Sequence, residues 1–335
     1  MRQIQLLEPR HIQALDIAEP EIPQGWALIR TLYCGICGTD AHSYEGETIF
    51  GKVFPFHIGH EVAGLIEKTG TENSPFQKGE LVVINPFFTC GCCKACYQDQ
   101  SNDCEHKTTI GLKGPGGFSE YILIPETSIY RAPRDMDPTR LCLAEPIANV
   151  IYAMQKLKVT HSMDVLINGA GAIGLIFLQL LLGSKPKSIT VADFNHRKLA
   201  RAKELGADRI VDPAKEQDTA LYQVIVDCTG SASCVEDSVH KLAFGGQLMS
   251  FGVCPADKRI QVSPFELYKR DATILSSFAL NKSSMQKAMD LLISSHFNTD
   301  ALVDSVRPLS MLEQSLQEMA AGRTGGKIII DTTKQ

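Results

Sequence analysis

The sequence predicts an α/β protein with two domains, one rich in β-strands and one built on a doubly wound parallel sheet. Three observations support this fold class. The chain has 335 residues, whereas one domain typically takes roughly 150. Up to about residue 145, short strand-like runs are bounded by Pro, Gly and Asn, as separate strands should be. Beyond that point short apolar runs alternate with helix-like stretches, a pattern typical of parallel βαβ units.

The individual elements follow from these patterns. In the first part of the chain, four runs have the composition of strands, namely residues 26–32, 61–66, 81–84 and 121–124. In the second part, four short apolar runs predict parallel strands at residues 165–168, 188–192, 223–226 and 247–250. A helix is expected over residues 196–205, where Gly206 provides a plausible stop. The chain then continues with helix candidates near 283–294 and 310–320 and a last strand at 327–331.

The composition is that of an ordinary water-soluble protein. With 33 basic and 38 acidic residues the formal net charge is −5, so we expect neither nucleic acid nor an anionic membrane surface as a partner. The chain contains 11 cysteines. An odd number fits metal ligation or free thiols better than a disulfide framework, and free thiols are typical of a reducing cytoplasm.

Two segments resemble targeting or membrane signals only superficially. The polar residues from Gln3 to Arg10 interrupt any apolar run near the start, so we expect no secretory signal there. Residues 165–184 carry no charge and have about the length of a membrane span. However, Asn168 and three glycines lie in the first half of this segment. A strand, a tight turn and a buried helix explain it better.

Four cysteines lie close together in the sequence. Cys90, Cys93, Cys96 and Cys104 have the spacing C-x2-C-x2-C-x7-C. Four thiolates can enclose one tetrahedral Zn²⁺ and leave no open position, which predicts a structural zinc site. An iron–sulfur cluster and a set of unrelated thiols are the alternatives. Cys92 lies between ligand positions and is expected to take no part.

A second set of metal-competent residues is spread along the first domain. Cys37 lies in the motif GICGTDAH, His60 and Glu61 are adjacent, and Glu145 precedes a proline. Three protein ligands with an open position form the pattern of a catalytic zinc site. From the spacing alone, other interpretations stay open: a small buried cysteine, a hydrogen-bonded His–Glu pair, or a redox pair of Cys34 with Cys37.

Residues 169–174 form a GxGxxG turn between a strand-like run and an apolar helix. In that context the glycines predict a dinucleotide site, with the pyrophosphate at the helix N-terminus, and a Gly-rich packing turn is the alternative. Asp193 lies nineteen residues after the last of these glycines. Its carboxylate can accept hydrogen bonds from a ribose 2′-hydroxyl, which favours NAD over NADP, although the nearby Arg197 weakens this argument. The turn residues expected to contact the cofactor are Gly169, Gly171, Ala172, Ile173 and Gly174.

Together these motifs resemble the zinc-dependent medium-chain dehydrogenase/reductase family, the alcohol dehydrogenase family, over nearly the whole chain. A glutamate at position 145, where classical alcohol dehydrogenases carry a cysteine, is similar to the polyol and threonine dehydrogenase branch. The segments that carry the resemblance are residues 35–42, 59–64, 90–104, 116–121, 145–146, 169–174 and 202–208.

The resemblance implies the domain organisation. Residues 1–147 would form a GroES-like catalytic domain, which the segment of about 280–335 would complete, and residues 148–279 would form a Rossmann domain that binds NAD. Relatives are commonly dimers or tetramers, so a homo-oligomer is expected.

The resemblance also implies two zinc ions per chain, one structural and one catalytic. Cys37, His60 and Glu145 match the ligands of the catalytic zinc, and Glu61 matches an acid that can approach the metal. Zinc with Cys37, neutral His60 and Glu145 has no net charge, whereas Glu61 as a further ligand would make it −1. One of the two glutamates is therefore expected to exchange during turnover. Asp40 matches a position that orients His60.

Within this family, the implied reaction is hydride transfer between a small secondary alcohol and NAD. Thr39 resembles the hydroxyl that takes the alcohol proton, and His42 resembles the base that passes it towards solvent. The substrate would be a polyol, sugar alcohol, sugar acid or related hydroxy compound. A polyol phosphate or an amino alcohol of the threonine type is the alternative. A zinc- and nucleotide-binding protein without turnover is a further one.

Overall fold

The computed structural model describes residues 1–47, 54–112, 114–294 and 297–334. The chain divides into two compact units. The first contains residues 1–148 together with 280–335, and the second contains residues 149–279. The first unit is therefore built from two segments that are distant in sequence.

Strands and helices are numbered in chain order. The strands are β1 Arg2–Glu8, β2 His11–Asp16, β3 Trp26–Gly35, β4 Glu61–Thr69, β5 Leu81–Ile84, β6 Phe87–Phe88, β7 Thr108–Thr109, β8 Tyr121–Pro125, β9 Ile129–Arg131, β10 Asp164–Asn168, β11 Ser188–Ala192, β12 Arg209–Val211, β13 Tyr222–Asp227, β14 Leu242–Ser250, β15 Thr273–Ser276, β16 Val303–Pro308 and β17 Lys327–Asp331. The α-helices are α1 Gly38–Tyr44, α2 Lys94–Tyr97, α3 Pro138–Leu141, α4 Ala144–Met154, α5 Ala172–Ser184, α6 His196–Glu204, α7 Ala232–His240, α8 Pro264–Arg270, α9 Lys282–Ile293 and α10 Leu312–Ala320.

The first unit is built on a sheet with the strand order β16-β17-β3-β4-β5-β9, and β8 also pairs with β3. Buried Ile29, Ile66 and Ile122 belong to the core of this unit. Strand β17 pairs antiparallel with β3, so that Ile329 faces Gly35 across the ladder. The last strand of the chain therefore lies next to the end of β3, just before Cys37.

The second unit is a six-stranded sheet in the order β12-β11-β10-β13-β14-β15, and every neighbouring pair in it is parallel. Strand order reverses on either side of β10, and in such sheets ligands bind at this switch point beyond the carboxyl ends of the strands. Residues 166 and 225 belong to the core on this sheet. The prediction of a β-rich part and a doubly wound parallel sheet is confirmed.

Most predicted elements are found, and two strands that were not predicted, β2 and β15, are largely exposed. The uncharged segment of residues 165–184 forms most of β10, the turn and helix α5. Among the described residues no helix is long and apolar enough to span a membrane. Strands β2 and β15 have mostly exposed or half-buried residues, so neither has the apolar pattern from which a strand is recognised.

Candidate active site and metal centres

Cys37, His60 and Glu61 come together in the first unit. Their ligand atoms, one sulfur, one ring nitrogen and one carboxylate oxygen, all lie within 4.8 Å of one another. Cys37 is the N-cap residue of α1, and Glu61 is the first residue of β4. Gly35 faces Glu61 in the ladder of β3 and β4. The end of β3 and the start of β4 therefore bring these ligands to one place.

Asp40 holds the two ligand-bearing segments in position. Its carboxylate accepts hydrogen bonds from the backbone N–H of Cys37 at 3.0 Å and of Gly59 at 2.9 Å. Its Oδ1 also lies 3.6 Å from Nδ1 of His60. This contact leaves the other ring nitrogen of His60 available as a metal ligand.

The attraction between Asp40 and His60 shifts the pKa of both side chains. Burial alone would raise the pKa of Asp40, but the charge of His60 and the hydrogen bonds from the backbone bring it below its usual value. Burial would likewise lower the pKa of His60, but Asp40 and Cys37 raise it well above its usual value. A proton and a metal ion therefore compete for the same nitrogen of His60.

Glu61 forms a buried ion pair that the sequence analysis did not anticipate. Its Oε1 accepts a hydrogen bond from Nζ of Lys327 at 2.6 Å, and both side chains are almost fully buried. Lys327 also donates to the carbonyl of Ile36 at 3.0 Å. Burial lowers the pKa of Lys327, but the charges of Glu61, Cys37 and Glu145 outweigh this effect and raise it. The only hint in the sequence is that a lysine directly precedes the apolar run of residues 328–330, where it needs a partner if it is buried.

The second oxygen of Glu61 has no such partner. Oε2 is buried and forms no hydrogen bond with any residue that the structure describes. A buried carboxylate oxygen left unpaired is costly, so it fits a metal ion that completes the group with Cys37 and His60. Soft sulfur, imidazole and carboxylate donors are together those of a zinc site.

Glu145 occupies a different place from Glu61. It lies in the first turn of α4 and is 6% exposed, but it does not meet the 4.8 Å spacing of the ligand group within the described part of the chain. It still acts electrostatically on Lys327. The structure thus groups Glu61 with Cys37 and His60, whereas the sequence interpretation gave Glu145 as the third ligand and Glu61 as the additional acid.

The residues of the expected proton relay lie on α1. Thr39 is half-buried, and His42 is partly exposed with Nδ1 2.8 Å from Oε2 of Glu47. Cys34, the partner of Cys37 in the redox alternative, is fully buried. Burial raises its pKa well above the usual value, which is the reverse of what a reactive thiol requires.

The four cysteines of the loop at residues 90–104 also converge. Their sulfur atoms lie within 4.8 Å of one another, with Cys93 and Cys96 separated by 3.5 Å and Cys90 and Cys104 by 3.6 Å. A hydrogen bond from the backbone of Cys92 lowers the pKa of Cys90 to about 6, which favours the thiolate that binds zinc. The Cys92 thiol is outside this group.

The loop with these cysteines is tied to α9 by Asp99. The carboxylate of Asp99 accepts hydrogen bonds from Nδ2 of Asn281 at 2.9 Å and from the backbone N–H of Ser283 at 3.3 Å. The hydroxyl of Ser283 donates to it as well. Asn281 is itself the N-cap of α9. The cysteine loop is thus fixed to the segment after residue 280.

The glycine turn of the second unit has the geometry of a dinucleotide site. Gly169 has φ +96°, which favours glycine, and a Cβ at Gly174 would lie 1.8 Å from the carbonyl oxygen of Gly169. A Cβ at Gly171 would meet open space. These are the three expected roles: a tight turn, close helix–strand packing, and free access for a pyrophosphate. Ala172 and Ile173 open α5, whose N-terminus points at this space.

Asp193 lies at the same turn. Its carboxylate accepts hydrogen bonds from the backbone N–H of Ala170 and of Asn195, both at 2.8 Å. It also lines a cavity of about 640 Å³ with Gly169, Val211 and Thr229. The cavity and the acid at its edge fit an adenosine moiety. Arg197 lies nearby, in the first turn of α6.

Comparisons with known proteins place the chain in a family. Residues 23–134 match the model of the alcohol dehydrogenase GroES-like domain, and residues 172–294 match that of the zinc-binding dehydrogenases. The chain is 31% identical over 295 residues to the D-altritol 5-dehydrogenase of Agrobacterium fabrum, which covers 85% of this chain and 86% of that protein. It is 26% identical over 327 residues to an L-threonine 3-dehydrogenase of Anaeromyxobacter dehalogenans, over 94% of both chains.

Among solved structures, a zinc-binding dehydrogenase from Sinorhizobium meliloti 1021 with bound NADP has a TM-score of 0.90 and 26% identity. The match covers 98% of both chains. The family models, the relatives and the fold all lead to one assignment. The chain belongs to the zinc-dependent medium-chain alcohol dehydrogenase family, and it is an oxidoreductase of the alcohol and polyol dehydrogenase type.

Proposed function

We propose that this protein oxidises a polyol or a related secondary alcohol with NAD, using one catalytic and one structural zinc ion. The single observation that carries the proposal is the group of Cys37, His60 and Glu61, in which a buried carboxylate oxygen has no hydrogen-bond partner among the described residues. In the same chain, the turn at residues 169–174 has the shape of a dinucleotide site.

Different residues of the first unit would have different roles at the catalytic zinc. Cys37 and His60 would hold the metal, Asp40 orients His60, and Glu61 and Glu145 supply the carboxylates of an exchangeable position. When bound, the zinc acts as a Lewis acid that lowers the pKa of the substrate hydroxyl. Four thiolates close the coordination of the other zinc, so that site supports the loop only.

Proton transfer falls to α1. Thr39 would accept the proton of the substrate hydroxyl, and His42 would pass it towards solvent. His42 is suited to this role because it is partly exposed and its Nδ1 lies 2.8 Å from Oε2 of Glu47. The nicotinamide of the cofactor supplies the hydride acceptor.

NAD rather than NADP is proposed because of Asp193. A carboxylate at the end of the second strand of the unit would repel a 2′-phosphate, while it can accept hydrogen bonds from a ribose hydroxyl. The similar structure from Sinorhizobium meliloti contains NADP, and Arg197 lies close by. The ratio of kcat/KM for NAD⁺ and NADP⁺ tests this choice.

A polyol is proposed as the substrate because the relative with 31% identity is a D-altritol 5-dehydrogenase. An amino alcohol is the second candidate, since the relative that covers 94% of the chain is an L-threonine 3-dehydrogenase. A polyol phosphate is a third substrate class for the test.

We also propose a cytoplasmic homo-oligomer, a dimer or a tetramer. The oligomer is supported by the exposed aromatic side chains of Phe265 and Tyr268 on α8, which favour a protein contact. The cytoplasm is supported by the cysteines, which are all free thiols in the structure. Light scattering of the purified protein measures the state directly, and a monomer at micromolar concentration would contradict the oligomer.

A screen for NAD⁺ reduction by the zinc-loaded protein tests the activity. The panel contains polyols, sugar acids, amino alcohols, simple secondary alcohols and polyol phosphates, each with NAD⁺ and with NADP⁺. We expect turnover with at least one polyol and a higher kcat/KM for NAD⁺. No turnover on the whole panel would overturn the proposal, and a higher kcat/KM with NADP⁺ would overturn the cofactor choice.

A further inference from the structure

Lys327, the first residue of β17, forms a buried ion pair with Glu61 of the metal-ligand group. The two side chains are 1% and 6% exposed, and Nζ of Lys327 lies 2.6 Å from Oε1 of Glu61. A lysine is almost never buried at this depth without a partner. Here the partner belongs to the metal-ligand group, so the lysine acts on that group directly.

The carboxylate of Glu61 lies between Lys327 and the expected position of the metal ion. Oε1 of Glu61 is held by Lys327, while Oε2 has no hydrogen-bond partner among the described residues. An oxygen of Glu61 is within 4.8 Å of the ligand atoms of Cys37 and His60. The attraction of the lysine for Glu61 therefore opposes the attraction of a metal ion for the same side chain.

Gly35 makes room for this arrangement. It lies opposite Glu61 in the β3–β4 ladder, and a Cβ at this position would lie 2.1 Å from Oε2 of Glu61. No residue other than glycine leaves that oxygen where it is. The position of the Glu61 carboxylate is thus set by Gly35 of β3 at Oε2 and by Lys327 at Oε1.

The lysine also changes the charge of the site. With Cys37 as thiolate and both Glu61 and Glu145 ionised, a zinc site without Lys327 would have a net charge of −1. Lys327 returns it to zero. A site of zero charge keeps its ability to stabilise an anionic oxygen, even when both glutamates are present.

We propose that Lys327 is a positioning residue that restrains Glu61, so that Glu61 approaches the catalytic zinc only transiently and does not close its open position. This inference rests on the proposed function, because it takes the group of Cys37, His60 and Glu61 as the catalytic zinc site. Without Lys327, the metal is the cation with which the buried carboxylate of Glu61 would pair.

The test compares Lys327→Met, Lys327→Arg, Glu61→Gln and the double variant Lys327→Met/Glu61→Gln with the unchanged protein. Two measurements do not depend on turnover: the rate at which a chelator removes the catalytic zinc, and the visible spectrum after replacement of that zinc by Co²⁺. Lys327→Met should slow zinc release by about tenfold, because the freed carboxylate of Glu61 then binds the metal, and it should shift the Co²⁺ spectrum. It should also lower kcat. Lys327→Arg, which keeps the charge, should resemble the unchanged protein.

The double variant separates positioning from general structural damage. If Lys327 acts through Glu61, the double variant should match Glu61→Gln in zinc release and in spectrum. Arg307→Met is the matched control, because Arg307 lies on the neighbouring strand β16 and pairs with Glu318 at 2.7 Å. It should leave both measurements unchanged.

Gly35→Ala gives an independent test if Lys327→Met does not fold. Its Cβ displaces Oε2 of Glu61, so zinc release and the Co²⁺ spectrum should change towards those of Glu61→Gln. The inference is overturned if Lys327→Met folds and has the zinc release and spectrum of the unchanged protein, or if Gly35→Ala leaves both unaltered. By contrast, an unchanged protein that binds only one zinc per chain would overturn the proposed function itself.

Discussion

The two metal-ligand groups of the first unit are built in opposite ways. The four cysteines lie within fifteen residues of the sequence and are mostly exposed or half-buried, and all four donors are alike. The other group combines a cysteine, a histidine and a glutamate from two segments, with a buried lysine from the last strand as counter-ion. A loop makes the first group, whereas the sheet makes the second.

This difference predicts what each site does. Four thiolates would leave no position for another molecule, so a zinc ion that they hold could only stabilise the loop. In the group of Cys37, His60 and Glu61, one oxygen of Glu61 is paired with Lys327 and the other has no hydrogen-bond partner in the described part of the chain. The Glu61 side chain can therefore take more than one arrangement. Removal of a ligand should therefore lower turnover when it belongs to the group of Cys37, His60 and Glu61. It should lower the stability of the protein when it belongs to the group of four cysteines.

The largest expected effect is that of Cys37→Ser. A serine hydroxyl is a poor zinc ligand at neutral pH, so the catalytic zinc should be lost and kcat/KM should fall by about a thousandfold or more. Metal analysis should show one zinc per chain instead of two, while the thermal midpoint changes little. A variant with two zinc ions and full turnover would contradict the assignment of Cys37.

Cys93→Ser should have the reverse effect. Loss of the structural zinc should lower the free energy of unfolding by on the order of 4 kcal/mol, measured by urea denaturation, and kcat should change little in the protein that remains folded. Cys92→Ser is the matched control, because it changes a thiol of the same loop outside the ligand group. If both variants are equally stable, the four cysteines hold no structural metal.

Asp40→Asn should have an intermediate effect, and one that depends on pH. Asp40 raises the pKa of His60, and its loss should weaken zinc binding by roughly 10–100-fold. In the unchanged protein, the affinity for zinc should decline as the pH falls below this raised pKa, because a proton then competes with the metal for His60. In Asp40→Asn the pKa of His60 should be lower, so the decline in zinc affinity should begin at a lower pH.

The sign of the effect on stability follows from linkage. The pKa of His60 in the metal-free folded protein is raised above the value of about 6.5 expected when unfolded. The resulting stabilisation of the metal-free protein is complete below that value and is lost as the pH rises through the folded pKa. Zinc titrations and urea denaturation at several pH values measure both effects. Identical profiles for Asp40→Asn and the unchanged protein would contradict the role of Asp40.

The same contrast explains what the sequence could predict. The cysteine motif, the glycine turn and the parallel strands are local patterns, and each is found with the expected residues. The ion pair of Lys327 with Glu61 is not local, since 266 positions separate its two members. Spacing also cannot rank Glu61 against Glu145 as ligands, because that depends on how β4 pairs with β3 and where α4 begins.

Asp99→Ala should have the smallest effect of these variants, and it tests the link between the cysteine loop and α9. Asp99 accepts hydrogen bonds from Asn281 and Ser283 at the start of that helix, and it has φ +55°, which Asp tolerates better than Ala. We expect a loss of about 1–2 kcal/mol in the free energy of unfolding, with both zinc ions retained.

Asp99→Asn is the control for that substitution, because asparagine keeps an oxygen acceptor and also tolerates a positive φ. It should lose clearly less stability than Asp99→Ala in the same urea titration. Equal losses in the two variants would show that the negative charge at the N-terminus of α9, and not the shape of the loop, makes this contact stabilising. In that case the loop is held by electrostatics that salt weakens, and the difference from the unchanged protein should shrink as ionic strength rises.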